Sequence, residues 1–163
     1  MPAHDSISRR DLLRGKASPP PFRARPPGVD LTSLQACTRC GACVDACPEN
    51  ILQIVPEGVA MLPDAGECTF CFDCENACPE NVFADEASMA HVMEINGDCF
   101  VQAGIACMTC RDACPEEAIT MKPRIGAPFQ PQLDTASCTG CAACSSACPA
   151  GAIRAVEREK EDA

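Results

Sequence analysis

Residues 37–48 read Cys37-Thr38-Arg39-Cys40-Gly41-Ala42-Cys43-Val44-Asp45-Ala46-Cys47-Pro48, and the rest of the chain is understood from this stretch. Its gaps of two, two and three residues, closed by a proline, recur at Cys68, Cys71, Cys74 and Cys78-Pro79, and again at Cys138, Cys141, Cys144 and Cys148-Pro149. A fourth copy is stretched at its start: Cys99, seven further residues, then Cys107, Cys110 and Cys114-Pro115. All 16 cysteines fall into these four groups, so a repeat organises the sequence. The remainder is poor in bulk, with no Trp, no Tyr and six Phe against 15 Pro and 10 Gly in 163 residues. A chain with so little to bury needs staples, either disulfides or metal, to offset its conformational entropy.

The spacing has a chemical reason. Two-residue gaps let three successive thiolates curl around three corners of one cubane while the intervening backbone amides point at its sulfides. The fourth cysteine, three residues on, is expected at the start of a short helix and faces away. The proline after it bends the chain off, so this thiolate serves the neighbouring cluster. The run matches that of bacterial ferredoxins; motifs then work in pairs, and four motifs imply four [4Fe-4S] clusters. A disulfide scaffold is the compositional default at this cysteine density, but it wants an oxidising compartment and a secretion signal, and none is legible. Zinc sites take their ligands in two separated pairs, whereas the triplet crowds three thiolates onto one loop.

Twenty residues separate Cys47 from Cys68 and 23 separate Cys114 from Cys138, enough for one hairpin and one helix. Adjacent pairing of motifs is therefore preferred over a nested arrangement. On that pairing Cys37, Cys40, Cys43 and Cys78 hold cluster 1, and Cys68, Cys71, Cys74 and Cys47 hold cluster 2. Cys99, Cys107, Cys110 and Cys148 hold cluster 3, and Cys138, Cys141, Cys144 and Cys114 hold cluster 4. The seven residues inserted after Cys99 are a tolerated loop or, on a sharper reading, a tether that makes cluster 3 labile.

Short apolar stretches follow the fourth cysteines, at 51–55, 82–83, 118–121 and 152–156, and each is a candidate strand. Turn signals at Pro56-Glu57-Gly58 and Arg124-Ile125-Gly126 lead to return strands at 59–62 and 129–133. The predicted fold is α+β: two tandem ferredoxin-like units of the 2[4Fe-4S] type, 31–88 and 89–157, with little regular secondary structure. Phe70 and Phe72 are expected to keep water off the second cluster. His4 and His91 read as ordinary surface residues, and 158–163 as a charged tail. No nucleophile–base constellation, phosphate loop or nucleotide signature is present, so catalysis by this chain alone is not expected.

The net charge is −10, which argues against nucleic acid as a partner. No apolar run reaches the ~18 residues of a membrane span, so no transmembrane segment is expected. The charge is unevenly spread: residues 1–28 carry six bases against two acids, and the rest seven against 21. Residues 1–30 therefore read as a disordered, basic, Pro-rich arm, extended and mobile over 15–28. Within it, Ser8-Arg9-Arg10 looks like a twin-arginine export signal, but Gly15-Lys16-Ala17-Ser18-Pro19 follows where an apolar stretch is required. Arg9 and Arg10 are thus candidate partner-binding residues on a chain that is not itself exported.

Several of these features together resemble one family, the ferredoxin-type NapF proteins, accessory proteins of the periplasmic nitrate reductase system. The similarity runs through Ser8-Arg9-Arg10, Cys37-Thr38-Arg39-Cys40, Asn50-Ile51-Leu52-Gln53, Phe70-Cys71 and Ala77-Cys78-Pro79-Glu80. Gly97-Asp98 before the stretched motif and Gln130-Pro131-Gln132-Leu133 before the last one are the discriminating parts. The resemblance implies a cytoplasmic iron-sulfur protein that matures the catalytic subunit of periplasmic nitrate reductase before export, by cluster insertion or redox priming. The competing expectation is a general low-potential electron carrier. A subunit that wires a membrane-bound redox complex is a third, unsupported by any anchor.

Overall fold

The computed structural model describes residues 22–83 and 88–158. Arg9, Arg10 and the 159–163 part of the tail lie outside the described residues. Elements are short throughout: four helices of four residues each, a 3-10 helix at Ser33–Ala36, and six strands in two-stranded antiparallel sheets. The helices are α1 (Ala42–Asp45), α2 (Asp73–Asn76), α3 (Thr109–Asp112) and α4 (Ala143–Ser146), one per cysteine motif. Each contains its motif's third cysteine.

The strands are β1 (Leu52–Val55), β2 (Gly58–Met61), β3 (His91–Ile95), β4 (Ile119–Arg124), β5 (Ala127–Leu133) and β6 (Ile153–Glu157). Hairpins β1–β2 and β4–β5 form at the two predicted turns, with Leu52 opposite Met61 and Ile119 opposite Leu133. Gly58 is obligatory in the first: at φ +135° its Cβ would lie 2.7 Å from Leu34 Cδ2 and 3.3 Å from Cys37 Cβ. The third sheet joins β3 to β6, pairing His91 with Glu157 and Ile95 with Ile153, and so closes the C-terminal half around its two motifs.

Five expectations need correction. Each fourth cysteine lies just past the end of its helix, not at a helix start, with its N–H bonded three residues back: Cys47 to Val44, Cys78 to Glu75, Cys114 to Arg111 and Cys148 to Ser145. Residues 82–83 are not a strand. After the other three motifs a left-handed residue, Asn50, Glu117 or Gly151, donates its N–H back to the fourth cysteine's carbonyl and reverses the chain into a strand. Between Cys78 and Phe83 no residue takes that conformation. His91, taken for a surface residue, is fully buried at the head of β3. The mobile arm ends sooner than expected: Ala24, Arg25 and Pro26 are buried, the Ala24 carbonyl accepts the Met61 N–H at 2.8 Å, and Gly28 N–H donates to Ser88. This strap takes the edge of β2, where the N-terminal half has no counterpart of β3 and β6. Finally, Glu157 belongs to β6, and Arg158 is anchored to the body instead of opening a tail.

The larger buried apolar side chains are Val29, Leu34, Ile51, Leu52, Val59, Met61 and Val82 in the first half, and Met89, Val92, Met93, Val101, Ile119 and Ile153 in the second. Cys43, Cys110, Cys138 and Cys144 are buried among them. The halves meet through their second motifs. Cys68 N–H donates to the Cys141 carbonyl at 2.8 Å, and the buried Ser145 hydroxyl lies 2.9 Å from both the Asp64 carboxylate and the Ile153 carbonyl.

Candidate metal centres

The local backbone of the three unstretched motifs follows one rule. The residues on either side of the second cysteine are left-handed: Arg39 and Gly41, Phe70 and Phe72, Gly140 and Ala142, with φ between 54° and 86°. For Arg39, Phe70, Phe72 and Ala142 that conformation costs roughly 1–2 kcal/mol each, a strain that persists only where the surroundings demand it. Alternating right- and left-handed residues turn successive N–H groups toward one point, an anion-cradling nest of the kind found at iron-sulfur sites. Here the point faces the thiols. In the stretched motif neither Ala106 nor Met108 is left-handed, and Met108 sits at φ −130°.

The thiols group in fours. Cys37, Cys40, Cys43 and Cys78 line a small pocket walled by Ile54, Val59, Val82 and Phe83. Cys47, Cys68, Cys71 and Cys74 line a second. Phe70, Phe72 and the strap residues Pro26 and Pro27 cover it, so the two phenylalanines shield these thiols as expected and also shape the turn. Cys99, Cys107, Cys110 and Cys148 line a third, with Ile95, Phe100 and Ile153. Cys114, Cys138, Cys141 and Cys144 are brought within electrostatic reach of one another. All sixteen are free thiols. Among the described residues no three cysteine, histidine or carboxylate groups converge closely enough to hold a single ion.

Burial sets the acidity of these groups. It pushes Cys74 and Cys144 up to about 12 and Cys110 to about 11, with repulsion from the other thiols of the same quartet adding to it. Cys43, Cys68 and Cys141 are raised for the same leading reason. Thiols this crowded and this dry ionise together only when cations sit between them. Cys107 is the exception: the Thr109 hydroxyl and N–H hold it below the ordinary thiol value. Four thiols around each space, apolar walls and inward N–H groups are the donor set that an iron-sulfur cubane takes.

The fold and the site thus define an iron-sulfur protein of the polyferredoxin class. The family of the 4Fe-4S dicluster domain matches twice, over residues 36–82 and 105–152. Cys99, ahead of the insert, falls outside the second match.

Among curated proteins, the chain is 38% identical to the ferredoxin-type protein NapF of Escherichia coli (strain K12), over 91% of this chain and 93% of that one. It is 39% identical to the protein of the same name from Haemophilus influenzae, with the same coverage. A methylamine utilization ferredoxin-type protein, MauM of Methylobacillus flagellatus, is 32% identical across 94% of this chain and 76% of its own. The chain belongs to the NapF family of ferredoxin-type proteins.

Sequence reasoning missed two residues beside these centres, Arg158 and His91. The His91 Nε2–H donates to the Gly140 carbonyl at 3.0 Å, and burial pushes this histidine down to about 4, so it stays neutral. Its signal was local: five residues, His91–Ile95, of strand character just before the stretched motif. No helix among the described residues is long and apolar enough to cross a membrane.

Proposed function

We propose that the chain holds four [4Fe-4S] clusters in units spanning 31–88 and 89–157, on the quartets Cys37/Cys40/Cys43/Cys78, Cys68/Cys71/Cys74/Cys47, Cys99/Cys107/Cys110/Cys148 and Cys138/Cys141/Cys144/Cys114. It acts in the cytoplasm as a non-catalytic accessory protein that binds the catalytic subunit of periplasmic nitrate reductase and prepares it before export. The observation that carries this reading is the full-length likeness to NapF proteins, with the stretched third motif set beside the Gln130-Pro131-Gln132-Leu133 segment. When bound, the clusters supply one-electron chemistry and a store of iron and sulfide. The chain's own residues do the rest. Paired left-handed turns aim N–H groups into three quartets, and Phe70, Phe72, Pro26 and Pro27 exclude water from the second. The acidic body, 21 acids against seven bases after residue 28, steers toward a basic partner face. Arg9 and Arg10 recognise the partner or its export machinery.

A second reading, a low-potential electron carrier, is favoured by the same acidity, which opposes the addition of electrons. One anaerobic experiment separates them. Loaded protein labelled with iron-57 is mixed with the apo catalytic subunit without reductant. Transfer of label and sulfide supports maturation by insertion, and activation only on adding reductant, with the label retained, supports redox priming. If the two proteins neither bind nor exchange, while the loaded chain reduces unrelated acceptors, the accessory role is overturned in favour of general carriage.

A further inference from the structure

Among the described residues, the buried Arg25 and the half-buried Arg158 have no carboxylate to meet them. Arg25 is 6% exposed, its Nε has no hydrogen-bond partner, and its charge lies 5.4 Å from the centre of the Phe22 ring. Arg158 spends its donors on backbone carbonyls: Cys138 at 2.7 Å, Met89 and Thr135 at 3.3 Å, and His91 at 3.5 Å. Neither has an ion-pair partner among the described residues, whereas Arg23, Arg111 and Arg154 each have one. Both charges act on the neutral His91, which is bonded to the Gly140 carbonyl. Arg158 and the His91 imidazole therefore meet the Cys138–Cys141 loop, with Arg25 close enough to His91 to act on it.

Charge taken out of water is costly unless an opposite charge meets it. The chain has 23 carboxylates against 13 bases and sets none of those described against these two. Among the described residues, the anion that Arg158 does approach is the set of thiolates on the loop itself, which with their iron-sulfur core would carry about −2 when oxidised.

We propose that Arg158, supported by Arg25, is the built-in countercharge of the quartet Cys114, Cys138, Cys141 and Cys144, and makes it the first of the four to take up an electron. The proposal rests on the ligand assignment above. Arg158 favours the added electron because it offsets the step from about −2 to −3, and no proton need follow, since a guanidinium already carries its own. The electron comes from an external low-potential reductant.

Arg124 also spends its donors on carbonyls, those of Pro128 and Val101, but among the described residues Arg158 is the guanidinium that bonds the carbonyl of a cysteine ligand. Arg39 in the first motif is exposed and donates to the Pro56 carbonyl. The second motif carries Asp73 and Glu75 in its helix. Arg111 in the third is neutralised by its neighbour Asp112. The favoured quartet is also the one whose loop meets the other half, through the Cys68–Cys141 hydrogen bond.

The test is an anaerobic EPR-monitored titration of the loaded full-length chain with dithionite, comparing wild type with Arg158→Gln and Arg158→Lys. The expected result is unchanged iron and sulfide in Arg158→Gln, with the first-reduced signal taking its electron at least tenfold less readily. For one electron that is 59 mV or more downward. The other signals move less, and Arg158→Lys, which keeps the charge, recovers most of the loss. Unchanged iron together with an unchanged first midpoint overturns the proposal.

If Arg158→Gln sheds iron, Cys114→Ser decides: an altered or missing first signal supports the proposal, and a later signal altered while the first stays intact overturns it. Iron analysis of the wild type reads the ligand assignment separately. Should fewer than four clusters be present, the Cys114→Ser comparison still decides which quartet takes the first electron, and the Arg158→Gln midpoint decides the role of Arg158.

Discussion

Cys107 and Cys144 belong to the same half of the protein and meet opposite conditions. Cys144 sits in the buried helix α4, after a nest built by Gly140 and Ala142, and burial with repulsion from its neighbours pushes it up to about 12. Cys107 follows a seven-residue insert with no left-handed residue beside it, and the Thr109 hydroxyl and N–H draw its acidity the other way. Phe100, Ile105 and Met108, all in or beside the insert, are exposed, while Ala142, Ala143, Cys144 and Ser145 are buried. The same four-cysteine recipe has therefore been built once as a closed cradle and once as an open one. The difference teaches that the curl of the fourth motif leads into a buried helix, while the insert leaves Phe100, Ile105 and Met108 exposed and Cys110 still buried.

The largest expected consequence is kinetic. With an iron chelator under nitrogen, iron should leave the third quartet about tenfold or more faster than the fourth, the factor that about 1.4 kcal/mol produces. Cys99→Ser and Cys138→Ser variants, each missing one component of the decay, assign the two phases. Equal rates would break the comparison and return the insert to a tolerated loop.

Two glycine substitutions come next, because Gly140 and Gly104 share a left-handed φ near +80° and differ only in surroundings. A Cβ at Gly140 would lie 2.7 Å from the His91 carbonyl and 3.0 Å from Met89 Cβ, whereas one at Gly104, in the insert, meets nothing within 4 Å. Gly104→Ala should cost only the backbone term, about 1 kcal/mol, and Gly140→Ala clearly more, at least about 2 kcal/mol. Urea unfolding of anaerobic protein measures both. Equal costs would mean that β3 yields to the loop instead of bracing it.

How much of this could be read from the chain follows from where each signal lies. The cysteine motifs and both hairpins were legible because their information is local: fixed cysteine gaps, Pro56-Glu57-Gly58 and Arg124-Ile125-Gly126. The β3–β6 pairing was not, since His91 finds Glu157 across 66 positions and neither end carries a turn signal. Arg158 looked like the first residue of a charged tail because its partners are carbonyls, which leave no mark in sequence. The strap at Phe22–Gly28 was hidden for a different reason: proline-rich, basic composition describes a solvated arm well, and only the vacant edge of β2 gives it somewhere to pack.

The equivalent position after the third cysteine is Arg111 in the third motif and Ser145 in the fourth. Ser145 is buried between the Asp64 carboxylate and the Ile153 carbonyl, so it joins the two halves, while Arg111 is exposed and bonded to its neighbour. Ser145→Ala leaves a buried acceptor unmatched and should cost about 1–2 kcal/mol. Arg111→Ala removes a surface pair and should stay within about 0.5 kcal/mol. Thermal unfolding of the two variants side by side checks the order, and a larger loss from Arg111→Ala would place the rigid cradle at the wrong motif.

The smallest effect runs in the opposite direction. After the fourth motif the chain reverses at Gly151, φ +59°, with its N–H on the Cys148 carbonyl; after the third it reverses in the same way at Glu117, φ +50°, on Cys114. Glu117 is exposed, and among the described residues its side chain makes no hydrogen bond or ion pair, so its left-handed backbone is strain without a compensating contact. Replacing it by glycine removes a penalty of roughly 1–2 kcal/mol and adds back up to about 1 kcal/mol of unfolded-state entropy. Glu117→Gly should therefore stabilise the C-terminal half by about 0.5–1 kcal/mol, read as a higher urea midpoint at constant slope. A lower midpoint would show that the open motif depends on the stiffness of this turn, and that its looseness is confined to the insert between Cys99 and Cys107.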